Sequence, residues 1–285
     1  MIELAIIFTF LAVICWGIED FLAQKSARKI GDAESLAFIM IIGAIIFTPF
    51  VIKDIHLLFS KQILWIIALV SVVHLLEGLF YFESLKEGKL AVIDAIFELE
   101  LPVTVLLGIV FFSESLSAVQ FSLIGAIFIG IFLISTKKLE HLKIKVEKGV
   151  IMALITAFFL GLVNFSSAFS VRATSPILVV WIVWVTNAIF LLAYLTYKNK
   201  DMQFIRDGWK FKLPILIMSV FASLAWVFYF YALKDRELSI ITAITEIYPI
   251  IPIFLGLFIN REKINFHQYI GIGLALLAAV ILAFI

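Results

Sequence analysis

Charged residues are scarce in this sequence. Lys, Arg, Asp and Glu together make up 15% of the 285 residues and apolar types make up 64%, whereas a soluble domain is about 25% charged. The charges also stand in short clusters between long apolar runs. Each charge left in hydrocarbon costs about 2.5–3.5 kcal/mol on insertion scales, so this segregation is typical of a chain that crosses a bilayer. The composition excludes a soluble domain and predicts an integral, multi-pass membrane protein.

Cysteine and net charge are also low. Cys15 is the only cysteine, which excludes an internal disulfide and a thiolate metal cluster, and we expect neither a metal nor a cofactor. The formal net charge of +1 provides no basic stripe to follow phosphates, so nucleic acid is excluded as a partner. The segment Met1 to Ala5 lacks the basic region of a secretory signal. We therefore expect the first apolar run to be retained as a helix.

Long apolar runs are what the sequence has in abundance. A spanning helix needs about 20 mostly apolar residues, and charge clusters with Gly and Pro signals divide the chain into ten such segments. They cover residues 4–24, 33–52, 63–84, 90–112, 117–136, 149–170, 175–197, 213–233, 238–259 and 266–285. The sequence therefore predicts an all-α polytopic membrane protein with ten transmembrane helices. The longest linker, residues 137–148, is basic and separates two five-helix units, residues 1–136 and 149–285.

Lys and Arg are distributed unevenly between the two sides of the membrane. An even number of spans puts both termini on one side, and the loops on the opposite side, which include the 137–148 linker, carry 17 of the 22 basic residues. Because basic residues concentrate in cytoplasmic loops, the linker is predicted to be cytoplasmic and both termini to be outside. We expect the protein to reside in the plasma membrane.

The two units are related by an internal repeat. Residues 81–125 match residues 229–273 without a gap, and the identical pairs include Leu85/Leu233, Lys86/Lys234, Glu98/Glu246, Gly108/Gly256, Glu114/Glu262, Gln120/Gln268 and Gly125/Gly273. A weaker match pairs Gly17, Phe21, Ser26 and Arg28 with Gly161, Phe165, Ser170 and Arg172. Because five is odd, the second unit enters the membrane from the opposite side. Such inverted repeats are common in secondary transporters, whose substrate site lies near the midplane between the halves.

The sequence resembles the drug/metabolite transporter superfamily, specifically its ten-helix EamA-type members. The resemblance is carried by Trp16-Gly17 followed by Phe21-Leu22-Ala23-x-Lys25-Ser26-Ala27, by an aromatic-rich third helix ending at Leu85-Lys86, and by Pro102 with Glu114 and Pro249 with Glu262. It implies two EamA-like repeats arranged as a basket, with helices 1, 3, 4, 6, 8 and 9 around a central cavity. It also implies transport of amino acids, other metabolites or drugs.

Two features depart from that family pattern. The sixth helix has Leu160-Gly161 where the family often repeats the Trp-Gly pair of the first helix. Familiar members keep their termini in the cytoplasm, whereas the charge distribution here predicts termini outside.

Glu98 and Glu246 are the leading candidates for the chemistry. The carboxylates within predicted spans are Glu77, Asp94, Glu98, Glu100 and Glu246. Ionised and facing lipid, the five would cost roughly 12–17 kcal/mol together, so they must face a cavity, pair with a partner or hold a proton. Glu98 and Glu246 are repeat equivalents near the middle of their helices, so we expect them to meet across the pseudo-twofold axis and bind a proton or a cation. The alternative is a protonated Glu bonded to a carbonyl freed by Pro102, Pro249 or Pro252.

Further polar candidates lie on the third and fourth helices. Asp94 shares a helical face with Glu98 and either joins the site or reaches the interface. Glu100 points well away from Glu98, and we expect it to form an interhelical bond rather than to bind a ligand. His74, Glu77 and Tyr81 share one face at i, i+3 and i+7 and could line the same cavity, with His74 either a proton relay or a packing residue.

Aromatic and amide side chains complete the candidate site. Trp16 lies on the first helix, and Asn164 on the sixth helix matches Asp20 in the repeat. Trp226 and Tyr229 on the eighth helix could stack on a substrate or could be packing residues.

The favoured function is a secondary active transporter of a small organic solute, proton-coupled by alternating access and acting as a monomer or homodimer in the lipid bilayer. The excess of carboxylates and the lack of a midplane Arg or Lys favour a cationic or zwitterionic solute. The alternative is a non-transporting membrane scaffold or a lipid-handling protein. An intramembrane enzyme is disfavoured because the sequence has no H-E-x-x-H, G-x-S-x-G or P-loop motif.

Overall fold

The computed structural model describes residues 4–87, 96–135, 148–198, 201–260 and 264–285. Within these ranges every regular element is a helix. The α-helices are α1 (Leu4–Ile30), α2 (Asp32–Val51), α3 (Lys61–Glu87), α4 (Glu100–Phe112), α5 (Ala118–Ser135), α6 (Lys148–Ala173), α7 (Pro176–Tyr197), α8 (Asp201–Lys210), α9 (Lys212–Asp235), α10 (Leu238–Thr245), α11 (Ile250–Leu255) and α12 (Phe266–Ala283). A 3₁₀ helix (Ile55–Phe59) precedes α3, and a π-helical turn (Gly256–Asn260) follows α11.

The predicted fold class is confirmed. In the described ranges nine segments are long and apolar enough to cross a membrane, with α10, α11 and the π-helical turn forming one of them, and α4 is a shorter apolar helix. α4 belongs to the fourth predicted span, whose first part, residues 90–95, lies outside the described residues. The linker is likewise described only at Lys148. α8 is an addition, since it forms in a segment that the sequence analysis treats as a loop.

The helices pack in a pattern that is preserved when the two halves are exchanged. α1 packs along α9, and the equivalent pair from the opposite halves, α6 and α3, packs in the same way. Likewise α4 packs on α6, while α10 and α11 pack on α1. α2 packs on α7, and α5 packs on α12. Each of these pairs joins a helix to its own equivalent in the other half, so exchanging the halves leaves the pair unchanged. The interface between the halves therefore runs through the whole protein.

Two glycines that match in the repeat allow equivalent close approaches. A Cβ on Gly17 of α1 would lie 2.2 Å from Cβ of Ile251 in α11, and a Cβ on Gly161 of α6 would lie 2.4 Å from Cγ1 of Val103 in α4. Val103 and Ile251 are themselves equivalent in the repeat. Small residues let membrane helices approach closely. Gly17 therefore sets the distance between α1 and the ninth span, and Gly161 sets the distance between α6 and the fourth span.

The fourth and ninth spans are interrupted at equivalent positions. The chain turns at Glu98–Leu99 before α4 and at residues 246–249 between α10 and α11. Leu99 N donates to Ile96 O at 3.0 Å and Ile247 N donates to Ile244 O at 3.3 Å, and these two bonds are related by the repeat. The sequence analysis places Glu98 and Glu246 within continuous helices, whereas each lies in one of these turns.

Prolines explain the interruptions. A proline has no N–H with which to donate to the carbonyl four residues earlier. The residue before it donates instead: Leu101, before Pro102, to Glu98 O at 3.3 Å, and Tyr248, before Pro249, to Thr245 O at 3.0 Å. Both halves therefore contain a broken helix of the kind that forms ion and substrate sites in transporters.

The last helix of each half begins with the capping box that its motif predicts. Gln120 N donates to Ser117 Oγ at 3.2 Å, and Ser117 N donates to Gln120 Oε1 at 2.9 Å. Asn265 and Gln268 form the same reciprocal pair. Gln268 Nε2 also donates to Ile134 O at 2.8 Å, which ties α12 to α5.

Candidate functional site

Two buried carboxyl groups meet between the halves. Glu100 begins α4, Glu246 directly follows α10, and each residue is 8% exposed. Their side chains lie close enough to hydrogen bond to each other. Two ionised carboxylates this close would repel each other, whereas a protonated carboxyl group can donate to an ionised one. The carboxyl pair, Glu100 and Glu246, is therefore a place between the two halves where a proton can bind.

Asn164 on α6 completes the carboxyl pair from the second half. Its Nδ2 donates to Glu100 Oε1 at 3.4 Å and to Thr104 Oγ1 at 3.2 Å, and both Asn164 and Thr104 are buried. A hydrogen-bond donor stabilises the ionised form of a carboxyl group. The amide of Asn164 therefore favours Glu100 as the acceptor and Glu246 as the donor within the pair.

Glu98 lies beside this pair. Ser135 Oγ, at the end of α5, donates to Glu98 Oε1 at 3.0 Å. Glu98 is close enough to Glu246 to act on it electrostatically. The sequence analysis expects Glu98 to meet Glu246, and the structure brings Glu100 to Glu246 as well.

Aromatic rings from α1, α9 and the turn after Glu246 surround one side of the carboxyl pair. Trp16 is the centre of this aromatic cluster, and its ring centroid lies 5.2 Å from Trp226, 5.1 Å from Tyr229 and 6.3 Å from Tyr248. Trp16 and Trp226 meet edge to face, at an interplanar angle of 89°. Tyr229 is 1% exposed, and its hydroxyl hydrogen bonds to Thr242 Oγ1 of α10 at 2.7 Å. The cluster thus links α1 and α9 to the broken ninth span.

The candidates on α3 approach the same region. His74 is buried, its ring lies 4.9 Å from Trp226, and its Nε2 is 3.4 Å from Ser167 Oγ on α6. Glu77 is close enough to Glu100 to act on it electrostatically. Tyr81 stacks on Phe97 with centroids 5.1 Å apart. Asp94, the remaining predicted site residue, lies outside the described residues.

The site lies at mid-depth in the helical bundle. At 1.5 Å per residue, Asn164 is roughly 14 Å from the end of α6 and Glu246 roughly 12 Å from the start of α10. Half of a hydrocarbon core about 30 Å thick is about 15 Å. Asn164 is roughly 24 Å from the start of α6 at Lys148, on the opposite face. A proton or cation bound here would therefore be far from water on both sides, unless the helices rearrange.

Comparison with known proteins identifies the architecture. The profile of the EamA-like transporter family matches residues 3–136 and again residues 147–284. The chain belongs to the EamA-like transporter family. This is a family of membrane transporters of small solutes.

A solved structure supports the same fold. One crystal structure, titled only as that of a protein, superposes on this EamA-like chain with a TM-score of 0.80, covering 97% of this chain and 95% of its own length. Only 14% of the residues are identical, so the similarity extends to the fold alone. No curated protein matches the chain significantly.

Sequence reasoning gave Glu100, Thr242 and Tyr248 no place in the site of this EamA-like transporter. The sequence analysis expects Glu100 to point away from Glu98 and to form an interhelical bond, and Glu100 does accept a hydrogen bond from Asn164 of α6, whereas Glu98 accepts one from Ser135 of α5. What the sequence analysis does not anticipate is the turn at Glu98–Leu99 and the approach of Glu100 to Glu246. Pro102, one turn later, is the signal that could have revealed the turn. Tyr248 directly precedes Pro249, so the same signal applies to it.

Proposed function

We propose that this protein is a secondary active transporter that exchanges protons for a small organic solute by alternating access. The observation that carries the proposal is the approach of the Glu100 and Glu246 carboxyl groups, which lie close enough to share a hydrogen bond. Their contact joins the two halves, and it is favourable only while a proton is held there. Loss of the proton converts the pair into two repelling anions, so proton occupancy and the relative position of the halves are coupled.

The solute that we propose is cationic or zwitterionic. A solute carrying an ammonium group can replace the proton, because it offsets one negative charge of the carboxyl pair as the proton does. Tyr229 is close enough to both carboxyl groups to interact with them, and Trp16 and Trp226 pack on Tyr229. Aromatic faces attract organic cations. An anionic solute would need a cationic clamp, whereas the residues around the described site are carboxylates, amides, hydroxyls and rings.

We further propose that transport occurs across the plasma membrane, with Lys148 and the linker in the cytoplasm and both termini outside. The support for this orientation is the charge distribution, which places 17 of the 22 basic residues on the linker side.

The function is tested with purified protein in two steps. A thermal-shift screen of amines, amino acids and cationic drugs identifies solutes that bind, because a ligand stabilises the folded state by mass action. Proteoliposomes containing the protein are then given a pH gradient, and uptake of the best binder is measured. We expect uptake against the solute gradient that collapses with a protonophore. Binding without any pH-driven movement would support the scaffold alternative.

A further inference from the structure

Glu114 joins the two halves at a second place, on the membrane face opposite Lys148. It follows α4 in the first half, and its carboxylate accepts three hydrogen bonds from the start of α10 in the second half. Leu238 N donates to Oε1 at 2.5 Å, Ser239 N to Oε2 at 3.0 Å and Ser239 Oγ to Oε2 at 2.6 Å. A carboxylate at a helix N-terminus satisfies N–H groups that otherwise have no intrahelical partner.

The backbone conformation just after α4 brings Glu114 to this position. Ser113 has a left-handed backbone conformation, with φ 54°, and Glu114 N donates to Gly108 O at 3.3 Å. A Cβ on Gly108 would lie 2.5 Å from Glu114 Oε2. Only a glycine therefore leaves room for the carboxylate between α4 and α10.

Arg172 at the end of α6 extends the same junction. Its Nε donates to Leu233 O at 3.2 Å and its Nη2 donates to Arg236 O at 2.8 Å, while Nη2 also lies 3.9 Å from Glu114 Oε1. Its guanidinium stands 4.3 Å from the centre of the Phe112 ring. The ends of α4, α6 and α9 and the start of α10 are thus held together by one carboxylate and one guanidinium.

The short helix α10 connects this junction to the carboxyl pair. All eight of its residues, Leu238 to Thr245, are buried, and Glu246 follows directly. A single rigid segment, roughly 12 Å long at 1.5 Å per residue, therefore has Glu114 at one end and the Glu100 contact at the other. The two contacts tie α10 to α4 at both of its ends.

We propose that Glu114, Arg172, Leu238 and Ser239 form a latch that closes this face of the transporter and is broken when the face opens. The proposal rests on the proposed function for its role in transport, but the latch itself is a separate structural claim. When the latch opens, α10 is released from α4, and the proton site at Glu246 becomes accessible from this face. When it closes, the site is sealed.

The latch is tested by the accessibility of a cysteine beneath it. Thr245 is buried and its hydroxyl bonds only to Ile241 O and Thr242 O of its own helix, so Thr245→Cys is a mild change. In a Cys15→Ser background it provides the only thiol. The full-length protein is reconstituted in nanodiscs, and the rate of reaction with an impermeant maleimide is measured.

Glu114→Gln should increase that rate about tenfold or more, because hydrogen bonds to a charged group are about twice as strong as neutral ones. Ser239→Ala, which removes one of the three bonds, should give a smaller increase of about threefold. The matched control is Glu83→Gln, which removes a surface ion pair with Lys148 on the opposite face and should leave the rate unchanged.

A mere helix cap would give a different result. It would lower the melting temperature of Glu114→Gln while the labelling rate of both latch variants stayed at the parent value, and that outcome overturns the proposal. If Glu114→Gln does not fold, Ser239→Ala decides the question alone. Faster labelling of the latch variants, in a protein that shows no pH-driven uptake, would support the latch and reject the proposed function. Unchanged labelling, in a protein that shows normal uptake, would reject the latch and support the proposed function.

Discussion

Glu100 at the start of α4 and Glu246 at the end of α10 bring their carboxyl groups together across the boundary between the two halves, close enough to share a hydrogen bond. Each residue lies in or next to a turn that interrupts its span, and the turns are equivalent in the repeat. The contact itself does not follow the pseudo-symmetry of the two halves. The turn residue of one half, Glu246, pairs with a residue two positions beyond the equivalent turn residue, Glu98, of the other.

The first prediction concerns proton coupling by this pair. Glu246→Gln and Glu100→Gln keep the shape of the side chain and its capacity for hydrogen bonding but remove the titratable group. Both should reduce pH-gradient-driven uptake in proteoliposomes to background, while the proteins remain folded by size-exclusion chromatography and thermal melting.

Glu98→Gln distinguishes the roles within the cluster. Glu98 is bonded to Ser135, so its loss should slow uptake without removing the dependence on the pH gradient. If instead only Glu98→Gln uncouples uptake, and Glu246→Gln transports normally, the carboxyl pair is structural. The coupling site must then be sought at Glu98 or at His74 and Glu77.

The second prediction is the pH dependence of binding. With one proton bound, the carboxyl pair carries a single negative charge, and loss of that proton leaves two. As the pH rises and the proton leaves, a cationic solute gains a second charged partner, and its affinity should increase. Tryptophan fluorescence titrations across a pH series measure this directly. Glu246→Gln should flatten the dependence, and a steeper rise in that variant would contradict a shared site.

The third prediction concerns the aromatic cluster. Trp226→Leu keeps an apolar side chain but removes the ring, and it should weaken the binding of a cationic solute about 2- to 30-fold, because a cation–π contact is worth about 0.5–2 kcal/mol. Trp226→Phe should retain most of the affinity. Trp65→Leu is the matched control, since Trp65 is 77% exposed. Equal losses from Phe and Leu would assign Trp226 to packing rather than to binding.

Much of the fold could be predicted from the sequence because its signals are strong and repeated. Apolar runs of membrane length fix the spans, and the matched pairs Glu98/Glu246 and Gly108/Gly256 fix the register of the halves. The matched glycines Gly17 and Gly161 also have equivalent packing in the structure, since each lies against a side chain from the broken span of the opposite half.

The partner of Glu246 could not be predicted in the same way. Assigning side chains to faces assumes about 100° of rotation per residue along an unbroken helix. The turns at Glu98–Leu99 and after Glu246 interrupt that regular rotation, so the approach of Glu100 to Glu246 cannot be derived from helical spacing. The latch at Glu114 was missed for a related reason, because it depends on the left-handed conformation of Ser113 and on contacts with a distant segment.

The fourth prediction is the orientation in the membrane. In a Cys15→Ser background, Lys148→Cys should resist an impermeant thiol reagent in intact cells, because the basic linker is expected in the cytoplasm. Ser60→Cys lies in an exposed turn on the opposite face and should react readily. Permeabilised cells should label at both positions. The reverse pattern in intact cells would place the termini inside.

The fifth prediction tests the repeat through its glycines. Gly17→Ala and Gly161→Ala each place a methyl group within 2.4 Å of a side-chain carbon across the interface, and such overpacking costs about 1–3 kcal/mol. Both variants should therefore melt at a lower temperature in detergent, and by similar amounts, because the two contacts are equivalent. Gly125→Ala and Gly273→Ala are matched controls from another repeat pair, where the added methyl group meets no atom within 4 Å. These controls should melt at or slightly above the parent temperature, since alanine favours a helix more than glycine does. A loss confined to one half, or shared by the controls, would mean that the two glycines do not have equivalent roles.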